Sequence, residues 1–362
     1  LIDPLRSAAW SQWSDTGGNP MSLHRPKLHS NRTISRGPKA GRRILVAGGA
    51  GFLGSHLCHT LLNDEHVVIC MDNFETGRMS NIALLLSDPN FILVRHDIID
   101  PLPDIGPVDE IYNLACAASP PKYQIDPIHT LKTNIWGAIN LLELAVSCGA
   151  KILQSSTSEV YGDPEISPQS EDYRGCVNTM GPRACYDEGK RAAETLFYDY
   201  CQTRGARIRV ARIFNTYGPS MCPTDGRVIS NFMVQALSGA PLTIYGHGNQ
   251  TRSFCYVSDM IAGLMALMAA PDSAVGPYNL GNPEEFTIAA LAHGILEILG
   301  LPPIIHYRDL PQDDPRQRCP DITKANRDLN WAPRISLAEG LSYTMPYFET
   351  ELRQMKPALI AE

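Results

Sequence analysis

Apolar residues in the first half of the chain fall into short runs, and these runs alternate with stretches of helical periodicity. The runs with the length of buried strands are 44–47, 67–71, 91–94, 111–115, 150–154 and 208–213. Between them, apolar positions recur at helical spacing in 55–62, 127–148 and 187–204. Strands that alternate with helices predict an α/β fold with a Rossmann-type doubly wound parallel sheet.

The pattern changes after Gly218, where proline and glycine separate shorter elements. The predicted elements there are helices at 228–237, 257–269, 288–299 and 337–348 and a strand at 242–245. We expect a smaller mixed α/β substrate-binding lobe, laid over the strand ends where such folds bind substrates. The predicted division is a disordered or loosely packed leader (1–40), a dinucleotide-binding domain (41–218), the mainly substrate-binding lobe (219–350) and a tail (351–362).

A glycine-rich turn joins the first predicted strand to the first predicted helix. Gly48, Gly51 and Gly54 form a G-x-x-G-x-x-G pattern, whose missing side chains let a pyrophosphate approach the backbone at a helix N-terminus. The second strand ends in Asp72, and an acid about 18 residues beyond the last glycine is placed to bind an adenosine ribose. The pattern predicts a site that prefers NAD to NADP, against the alternative of a glycine-rich turn without a ligand.

Composition and charge narrow the class of protein. The chain has 362 residues, 31 of them basic and 38 acidic, and the net charge of −7 gives no basic field for nucleic acid. No apolar run approaches the roughly 18 residues that span a bilayer, and 1–39 lacks the apolar core of a signal peptide. The chain begins without Met, which leaves room for an upstream segment, including an anchor in the secretory pathway.

The cysteines and histidines indicate no metal site. The ten cysteines form no C-x-x-C pair, and several fall in predicted strands or helices. Reduced core thiols fit this pattern better than disulfides or zinc, which predicts a cytoplasmic protein. His56 and His59 have no third ligand nearby, so we expect a helix surface pair.

Two further patterns carry candidate chemistry. Tyr186 and Lys190 form Y-x-x-x-K, and a spacing of four puts both side chains on one helix face. A neighbouring ammonium and a positive nicotinamide ring would stabilise tyrosinate, a base for an alcohol that is being oxidised. The stretch 155–162 (SSTSEVYG) follows the fifth strand, where a hydroxyl can hydrogen-bond the reacting oxygen. The alternatives are an exposed Tyr–Lys pair and an ordinary polar strand end.

The order and spacing of these patterns resemble the extended short-chain dehydrogenase/reductase family of nucleotide-sugar enzymes, and within it the branch that decarboxylates UDP-glucuronic acid. The similarity covers about 43–348. Its motifs are TSE at 157–159, GPRACYDEGK at 181–190, ARIFNTYGP at 211–219, DGRV at 225–228 and QTRSF at 250–254. The resemblance implies an NAD-dependent carboxy-lyase that forms UDP-xylose without net redox change, and a homodimer formed through helices that flank the sheet.

The resemblance also implies roles for single residues. The sugar is oxidised at C4, the resulting β-keto acid loses CO₂, and the ketone is reduced again. Tyr186 would be base and then acid, Lys190 would lower the pKa of Tyr186 and hold the nicotinamide ribose, and Thr157 would bind the C4 oxygen. Glu159 and Arg252 would handle the carboxylate and the proton returned to C5, with Arg252 positioning the carboxylate and steadying the enolate.

Further contacts are expected from the loops after the strands and from the resemblance. Those with NAD are Gly48, Gly51, Phe52, Leu53, Gly54, Asp72, Asn73, Phe74, Thr76, Gly77, Asp97, Ile98, Leu114 and Thr133. Those with the nucleotide sugar are Lys132, Asn140, Asn215, Arg227 and Arg316, with Tyr245 near the uracil. The chain departs from the family pattern at Ala47, Glu75 and Ser220, where Thr, an aromatic residue and Arg are usual. Position 75 is close to the expected adenosine, so the property that this departure would affect is the affinity for the cofactor.

A 4-epimerase or a 4,6-dehydratase of the same family is the alternative function, and a non-catalytic dinucleotide-binding protein is a more distant one. A dehydratase usually carries Asp where Ser158 stands, and an epimerase typically lacks the glutamate at 159. Non-catalytic relatives commonly lose the tyrosine or the lysine, and both are present here. The residues therefore favour decarboxylation.

Overall fold

A computed structural model describes residues 41–309 and 317–358. The predicted leader 1–40 and residues 359–362 lie outside the described residues. The strands in the described part are β1 Arg43–Ala47, β2 Val67–Asp72, β3 Phe91–Arg95, β4 Glu110–Asn113, β5 Lys151–Thr157, β6 Arg207–Ile213, β7 Thr216–Tyr217, β8 Leu242–Tyr245, β9 Thr251–Ser253, β10 Cys255–Tyr256, β11 Tyr278–Leu280, β12 Glu285–Thr287 and β13 Ile305–Arg308.

The central sheet has seven parallel strands in the order β11-β6-β5-β4-β1-β2-β3. The chain reverses its direction of travel across the sheet between β3 and β4, so the predicted doubly wound arrangement is confirmed. In the register, Ala47 pairs with Asn113 and Thr157 pairs with Ile213. The carboxyl ends of these strands therefore lie along one edge, which is where such sheets bind ligands.

Helices cover both faces of the sheet. They are α1 Phe52–Asn63, α2 Met79–Ile82, α3 Pro120–Tyr123, α4 Pro127–Lys132, α5 Ala138–Cys148, α6 Ala184–Arg204, α7 Val228–Leu237, α8 Val257–Ala269, α9 Ile288–Ile298, α10 Thr323–Leu329 and α11 Leu337–Ala358. A wider π-helical turn, Thr133–Gly137, joins α4 to α5, so the predicted helix 127–148 is continuous but not regular. Such turns often occur at functional sites.

The core has a layer on each side of the sheet because successive side chains of a strand point to opposite faces. Ile44 and Val46 of β1 pack with Leu57 of α1, whereas Leu45 packs with Leu141 of α5 on the other face. All five side chains are fully buried. Each contributes about 1.5–3 kcal/mol relative to an exposed position, so β1 and the turn that follows it are held firmly.

A further core packs α7, β8, α9 and α11 together, and we call these four elements the helical lobe. Phe232 of α7, Ile244 of β8, Leu291 of α9 and Leu341 of α11 are buried in it. Short strands in this part of the chain pair outside the central sheet. β8 pairs with β13, and β9 pairs with β12. This lobe stands where the sequence predicts the substrate-binding elements.

The stretch after Gly218 also contributes to the sheet, which the sequence pattern does not predict. β11 adds the seventh strand beside β6, and Leu264 of α8 packs in the same core layer as Leu57 of α1. The chain therefore returns to the sheet after it has begun the helical lobe, and the predicted domain boundary at Gly218 stays a prediction.

Candidate active site

The glycine turn between β1 and α1 leaves no room for side chains. Gly48 has a φ of +79°, and a Cβ on Gly54 would lie 2.0 Å from the carbonyl oxygen of Gly48. Gly51 is the N-cap of α1, a helix of 12 residues whose first N–H groups face the turn. A turn of bare backbone at a helix N-terminus fits the pyrophosphate of a dinucleotide.

Asp72 ends β2 beside this turn and is nearly buried. Its carboxylate accepts hydrogen bonds from the backbone N–H groups of Ala50 at 2.9 Å and Phe74 at 2.8 Å. Burial raises the pKa of Asp72, and the two N–H donors oppose that rise. The carboxylate is thereby held at the cleft wall, in the position expected for an adenosine ribose ligand.

Glu75, the departure from the family pattern, belongs to a polar network at the same end of the cleft. His129 lies 2.8 Å from Asp97 through Nε2 and 3.3 Å from Glu75 through Nδ1. The Asn73 amide donates to Asp97 at 2.8 Å. Burial lowers the pKa of His129, but the hydrogen bond to Asp97 and the charge of Glu75 outweigh it and the net shift is upward. Glu75 therefore takes part in an ion pair where the family usually has an aromatic ring.

Tyr186 and Lys190 face the cleft from α6, and both are buried. The Tyr186 hydroxyl is hydrogen-bonded to Thr157 at the end of β5, and the Lys190 ammonium donates to the carbonyl oxygen of Ser155 at 2.9 Å. The ring of Tyr123 stacks on that of Tyr186, with centroids 5.1 Å apart and planes at 4°. The predicted base, its partner hydroxyl and the lysine are thus brought together.

The expected lowering of the tyrosine pKa does not arise from the protein's own charges. Burial raises the pKa of Tyr186 above its usual value and lowers that of Lys190. The Lys190 ammonium lies over the tyrosine ring, 5.7 Å from its centroid, and its hydrogen bond goes to the Ser155 carbonyl. The positive charge that would favour tyrosinate must therefore be supplied in large part by a bound cofactor.

Three arginines surround Glu159, and we call Arg183, Arg252 and Arg318 the arginine cluster. Arg183 lies 2.6 Å and Arg318 lies 2.8 Å from the Glu159 carboxylate, and the charge of Arg252 also acts on it. Burial raises the pKa of Glu159, but the charges of Arg318 and Arg183 outweigh it and lower the pKa. Glu159 is therefore an ionised carboxylate held by guanidinium groups.

A cleft of about 640 Å³ runs from the glycine turn past Tyr186 to the arginine cluster and the helical lobe. Most of the residues predicted from the sequence line it. These are Gly48, Gly51, Phe52, Leu53, Gly54, Asp72, Asn73, Thr76, Asp97, Ile98, Leu114, Thr133, Thr157, Glu159, Tyr186, Lys190, Asn215, Arg227, Tyr245 and Arg252.

Four predicted contacts do not line the cleft. The Asn140 amide donates to the carbonyls of Ile98 and Asp100 at 2.8 and 3.0 Å, so it shapes the loop after β3. The Lys132 ammonium lies over the ring of Trp136, 5.2 Å from its centroid. Gly77 lies behind Asp72, since a Cβ there would be 2.6 Å from the Asp72 carboxylate. The guanidinium carbon of Arg95 lies over the ring of Phe74, 5.6 Å from its centroid. A fifth predicted contact, Arg316, lies outside the described residues.

The structure adds residues that the sequence analysis did not single out. Arg183 and Asp187 lie one helical turn apart around Tyr186, so helical spacing could have placed them at the site. Arg318 meets Glu159 across 159 positions of the chain, and no local pattern indicates such a contact. Tyr123 comes from the short helix α3, whose proline-rich sequence carries no stacking signal.

The described residues contain no group of His, Cys, Asp and Glu side chains that could hold a metal ion. His56 is partly buried and contacts the carbonyl of Pro219 at 2.9 Å, whereas His59 is exposed on the same helix. All ten cysteines are free thiols. Among the helices in the described ranges, none has the length and apolar character needed to cross a membrane. The predicted cytoplasmic location stays a prediction.

The glycine turn, the buried Tyr186–Lys190 pair and the charged end of the cleft define an enzyme that binds a dinucleotide and acts at a substrate hydroxyl. The chain belongs to the NAD dependent epimerase/dehydratase family, whose model matches residues 44–281. The family expected from the sequence is confirmed.

Similar proteins of curated function are UDP-glucuronic acid decarboxylases. The chain is 53% identical to UDP-glucuronic acid decarboxylase 1 of Xenopus tropicalis, over 87% of this chain and 74% of that protein. It is 52% identical to UDP-glucuronic acid decarboxylase 5 of Arabidopsis thaliana, over 87% of this chain and 90% of that protein.

Similar solved structures are epimerases of the same family. The UDP-glucuronic acid 4-epimerase of Bacillus cereus, in complex with UDP-glucuronic acid and NAD, is 30% identical over 85% of this chain and 99% of its own, with a TM-score of 0.77. The UDP-glucose 4-epimerase of Thermotoga maritima is 29% identical over 86% of this chain and 99% of its own, with a TM-score of 0.79. The family is NAD-dependent, and the fold is that of these enzymes.

Proposed function

We propose that the protein catalyses the NAD-dependent decarboxylation of UDP-glucuronic acid to UDP-xylose and CO₂. The observation that carries the proposal is the arginine cluster around Glu159 at the end of the cleft beyond Tyr186. Guanidinium groups bind carboxylates well, and relatives at 52–53% identity are decarboxylases of this substrate. NAD supplies an acceptor for two electrons at C4 and returns them at the end, so the reaction has no net redox change.

The side chains at the end of β5 and on α6 handle the proton at the sugar C4 hydroxyl. Tyr186 takes this proton when C4 is oxidised and gives it back when the ketone is reduced. Thr157, which already hydrogen-bonds the tyrosine, orients the C4 oxygen. Lys190 is fixed by the Ser155 carbonyl and adds a positive charge on the cofactor side of Tyr186.

The arginine cluster and Glu159 handle the carboxylate. A ketone at C4 makes the carboxylate at C5 part of a β-keto acid, which loses CO₂ and leaves an enolate. The enolate then takes up one proton from solvent at C5, a transfer that we assign to the region of Glu159 and Arg252. Arg252 positions the carboxylate and then stabilises the enolate, because tight binding of the carboxylate alone would oppose its loss. The negative charge of Glu159 limits how tightly the cluster binds the ground-state carboxylate.

Residues nearer the helical lobe would bind the uridine diphosphate. Arg227 lines the cleft beside Asp225, to which it is paired, and we assign it to the diphosphate. Asn215 accepts from Arg318 at 3.3 Å, so it can link the nucleotide sugar to the arginine cluster. Tyr245 lines the far end of the cleft and is partly exposed, as a residue that stacks on uracil would be.

The Bacillus cereus 4-epimerase binds the same nucleotide sugar, so epimerisation at C4 is the function to separate from decarboxylation. Purified protein is incubated with UDP-glucuronic acid, with and without added NAD⁺, and the sugar nucleotide is followed by mass spectrometry. We expect the loss of one CO₂ without net NADH. An unchanged mass would overturn the proposal, and a changed C4 configuration at that mass would identify an epimerase.

A matched pair of arginine variants assigns the reaction to the cleft. Arg252→Lys removes the guanidinium at the arginine cluster and should slow decarboxylation. The control is Arg207→Lys, which changes an exposed arginine that pairs with Asp272 at 3.1 Å. Arg207 lies at the start of β6, at the opposite edge of the sheet, so this change should leave the rate of decarboxylation unchanged. Release of 4-keto pentose with stoichiometric NADH would mean that the final reduction is missing.

We also propose a homodimer formed through the helices that flank the sheet. Ile128 and Trp136, about two turns apart on the α4–α5 helix, and Tyr198 of α6 are large apolar side chains exposed by half or more. Such side chains are enriched where proteins associate. Sedimentation should give a dimer for the wild type and a shift to monomer for Trp136→Glu. Leu84→Glu, at an exposed apolar residue in the turn Ala83–Ser87, is the control and should stay dimeric. A monomeric wild type would contradict the proposal.

A further inference from the structure

Asp187 is a buried carboxyl group with no place in the chemistry described so far. It follows Tyr186 on α6 and is 7% exposed. Within the described residues, its Oδ1 atom has no hydrogen-bond partner, and its Oδ2 forms a long ion pair with Nε of Arg183 at 3.9 Å. A buried carboxylate with an unpartnered oxygen is poorly stabilised in its ionised form, so this geometry favours protonation of Asp187.

The charged and titratable groups that face Asp187 are on α6, on α3, at the end of β5 and on the segment before α10. They are Arg183, Cys185, Tyr186, Glu188, Tyr123, Glu159 and Arg318. Burial and then the charge of Glu159 raise the pKa of Asp187 to about 7, against the opposing effect of Arg183 and Arg318. Asp187 therefore changes its charge in the neutral range.

The charge of Asp187 bears on the arginine cluster through Arg183. While Asp187 is neutral, Arg183 is paired with Glu159 at 2.6 Å. When Asp187 ionises, Arg183 faces a second carboxylate one helical turn away and the cluster loses one positive charge. An incoming carboxylate is then attracted less strongly.

We propose that Asp187 is a positioning residue whose bound proton keeps the arginine cluster ready for the carboxylate of the sugar, so that carboxylated nucleotide sugar binds together with a proton. The inference rests on the proposed function for the identity of the substrate. By linkage, a carboxylate bound at the cluster strengthens proton binding at Asp187, and ionisation of Asp187 weakens carboxylate binding by the same factor. The effect belongs to binding and should appear in the dissociation constant of the ligand.

The test compares two ligands that differ only in the carboxylate. The NAD-loaded protein with Tyr186→Phe, which does not consume its ligand, is titrated with UDP-glucuronic acid and with UDP-glucose by calorimetry. Between about pH 6 and about pH 8, we expect the Kd of UDP-glucuronic acid to rise about fivefold or more, the lower end of typical coupling between sites. The Kd of UDP-glucose should stay nearly constant. Titrations in buffers of different ionisation enthalpy should show proton uptake with the first ligand only.

Asp187→Asn keeps the shape of the neutral carboxyl group and should remove both the pH dependence and the proton uptake. Glu188→Gln, one position further on α6 in a more exposed ion pair with Arg191, is the control and should keep both. Because folding raises the pKa of Asp187 from its ordinary value to about 7, stability falls as the pH rises through that interval and the loss is complete above about pH 7, so the Asn variant should be at least as stable as its parent at pH 8.

Two results would overturn the inference while leaving the proposed function intact. One is tight binding of UDP-glucuronic acid whose pH dependence persists in Asp187→Asn. The other is an equal pH dependence for UDP-glucose. Failure of UDP-glucuronic acid to bind at any pH would instead overturn the proposed function.

Discussion

Tyr186→Phe is expected to lower kcat about 100- to 10,000-fold, the usual contribution of a positioned acid–base group, with little change in the affinity for NAD. The hydroxyl is hydrogen-bonded to Thr157, and the Lys190 ammonium lies over the ring that carries it. The ring stays in place because Tyr123 stacks on it, so the variant loses only the proton-carrying atom. Both oxidation and re-reduction at C4 need that atom, and decarboxylation cannot begin without the first of them.

Turnover of UDP-glucuronic acid is measured by mass spectrometry, and NAD affinity by titration. The matched control is Tyr200→Phe on the same helix, which removes an exposed hydroxyl that donates to Glu143 at 2.7 Å. Its kcat should match that of the wild type. Near-normal turnover by Tyr186→Phe would show that the proton at C4 is carried by another group.

Gly54→Ala is expected to abolish or strongly weaken NAD binding. A Cβ at this position would lie 2.0 Å from the carbonyl oxygen of Gly48 and 2.7 Å from the Cα of Gly49. Both neighbours are backbone atoms, so the clash cannot be relieved by a change of rotamer and the turn must open. Overpacking of this kind costs about 1–3 kcal/mol, which corresponds to about 5- to 150-fold in affinity if the turn closes only when NAD binds.

The affinity is measured by titration with NAD, and thermal unfolding checks that the variant is folded. Gly294→Ala in α9 makes the same chemical change where a Cβ would meet no atom within 4 Å. It should bind NAD normally and gain about 0.4–1 kcal/mol of stability, as alanine does in helix interiors. Normal NAD binding by Gly54→Ala would mean that the dinucleotide does not lie against this turn.

Features that depend on near neighbours in the chain could be predicted from the sequence. The alternation of strands and helices, the glycine turn and the Tyr186–Lys190 spacing each follow from contacts within a few residues, and the structure contains all of them. Even the order of the charged residues on α6 is local, so Arg183 and Asp187 could have been found by helical spacing.

Features that depend on distant contacts could not be predicted. β11 has three residues between Pro277 and Gly281, too few for a periodic signal, and it is a strand because β6 offers an unpaired edge. Arg318 reaches Glu159 only in the folded chain. Asn140 was expected at the substrate, but an amide on α5 is close enough to the loop after β3 to satisfy its carbonyls instead.

The return of the chain to the central sheet has a consequence for how the cleft can move. The backbone passes from β6 to the helical lobe, comes back for α8 and β11, and leaves again for β12 and α9. Each crossing is a covalent tether between the sheet and the helical lobe, so several crossings restrict their relative motion more than a single linker would. The walls of this cleft are therefore tethered by several covalent connections before any ligand arrives, which lowers the entropy that a ligand must pay to bring them together.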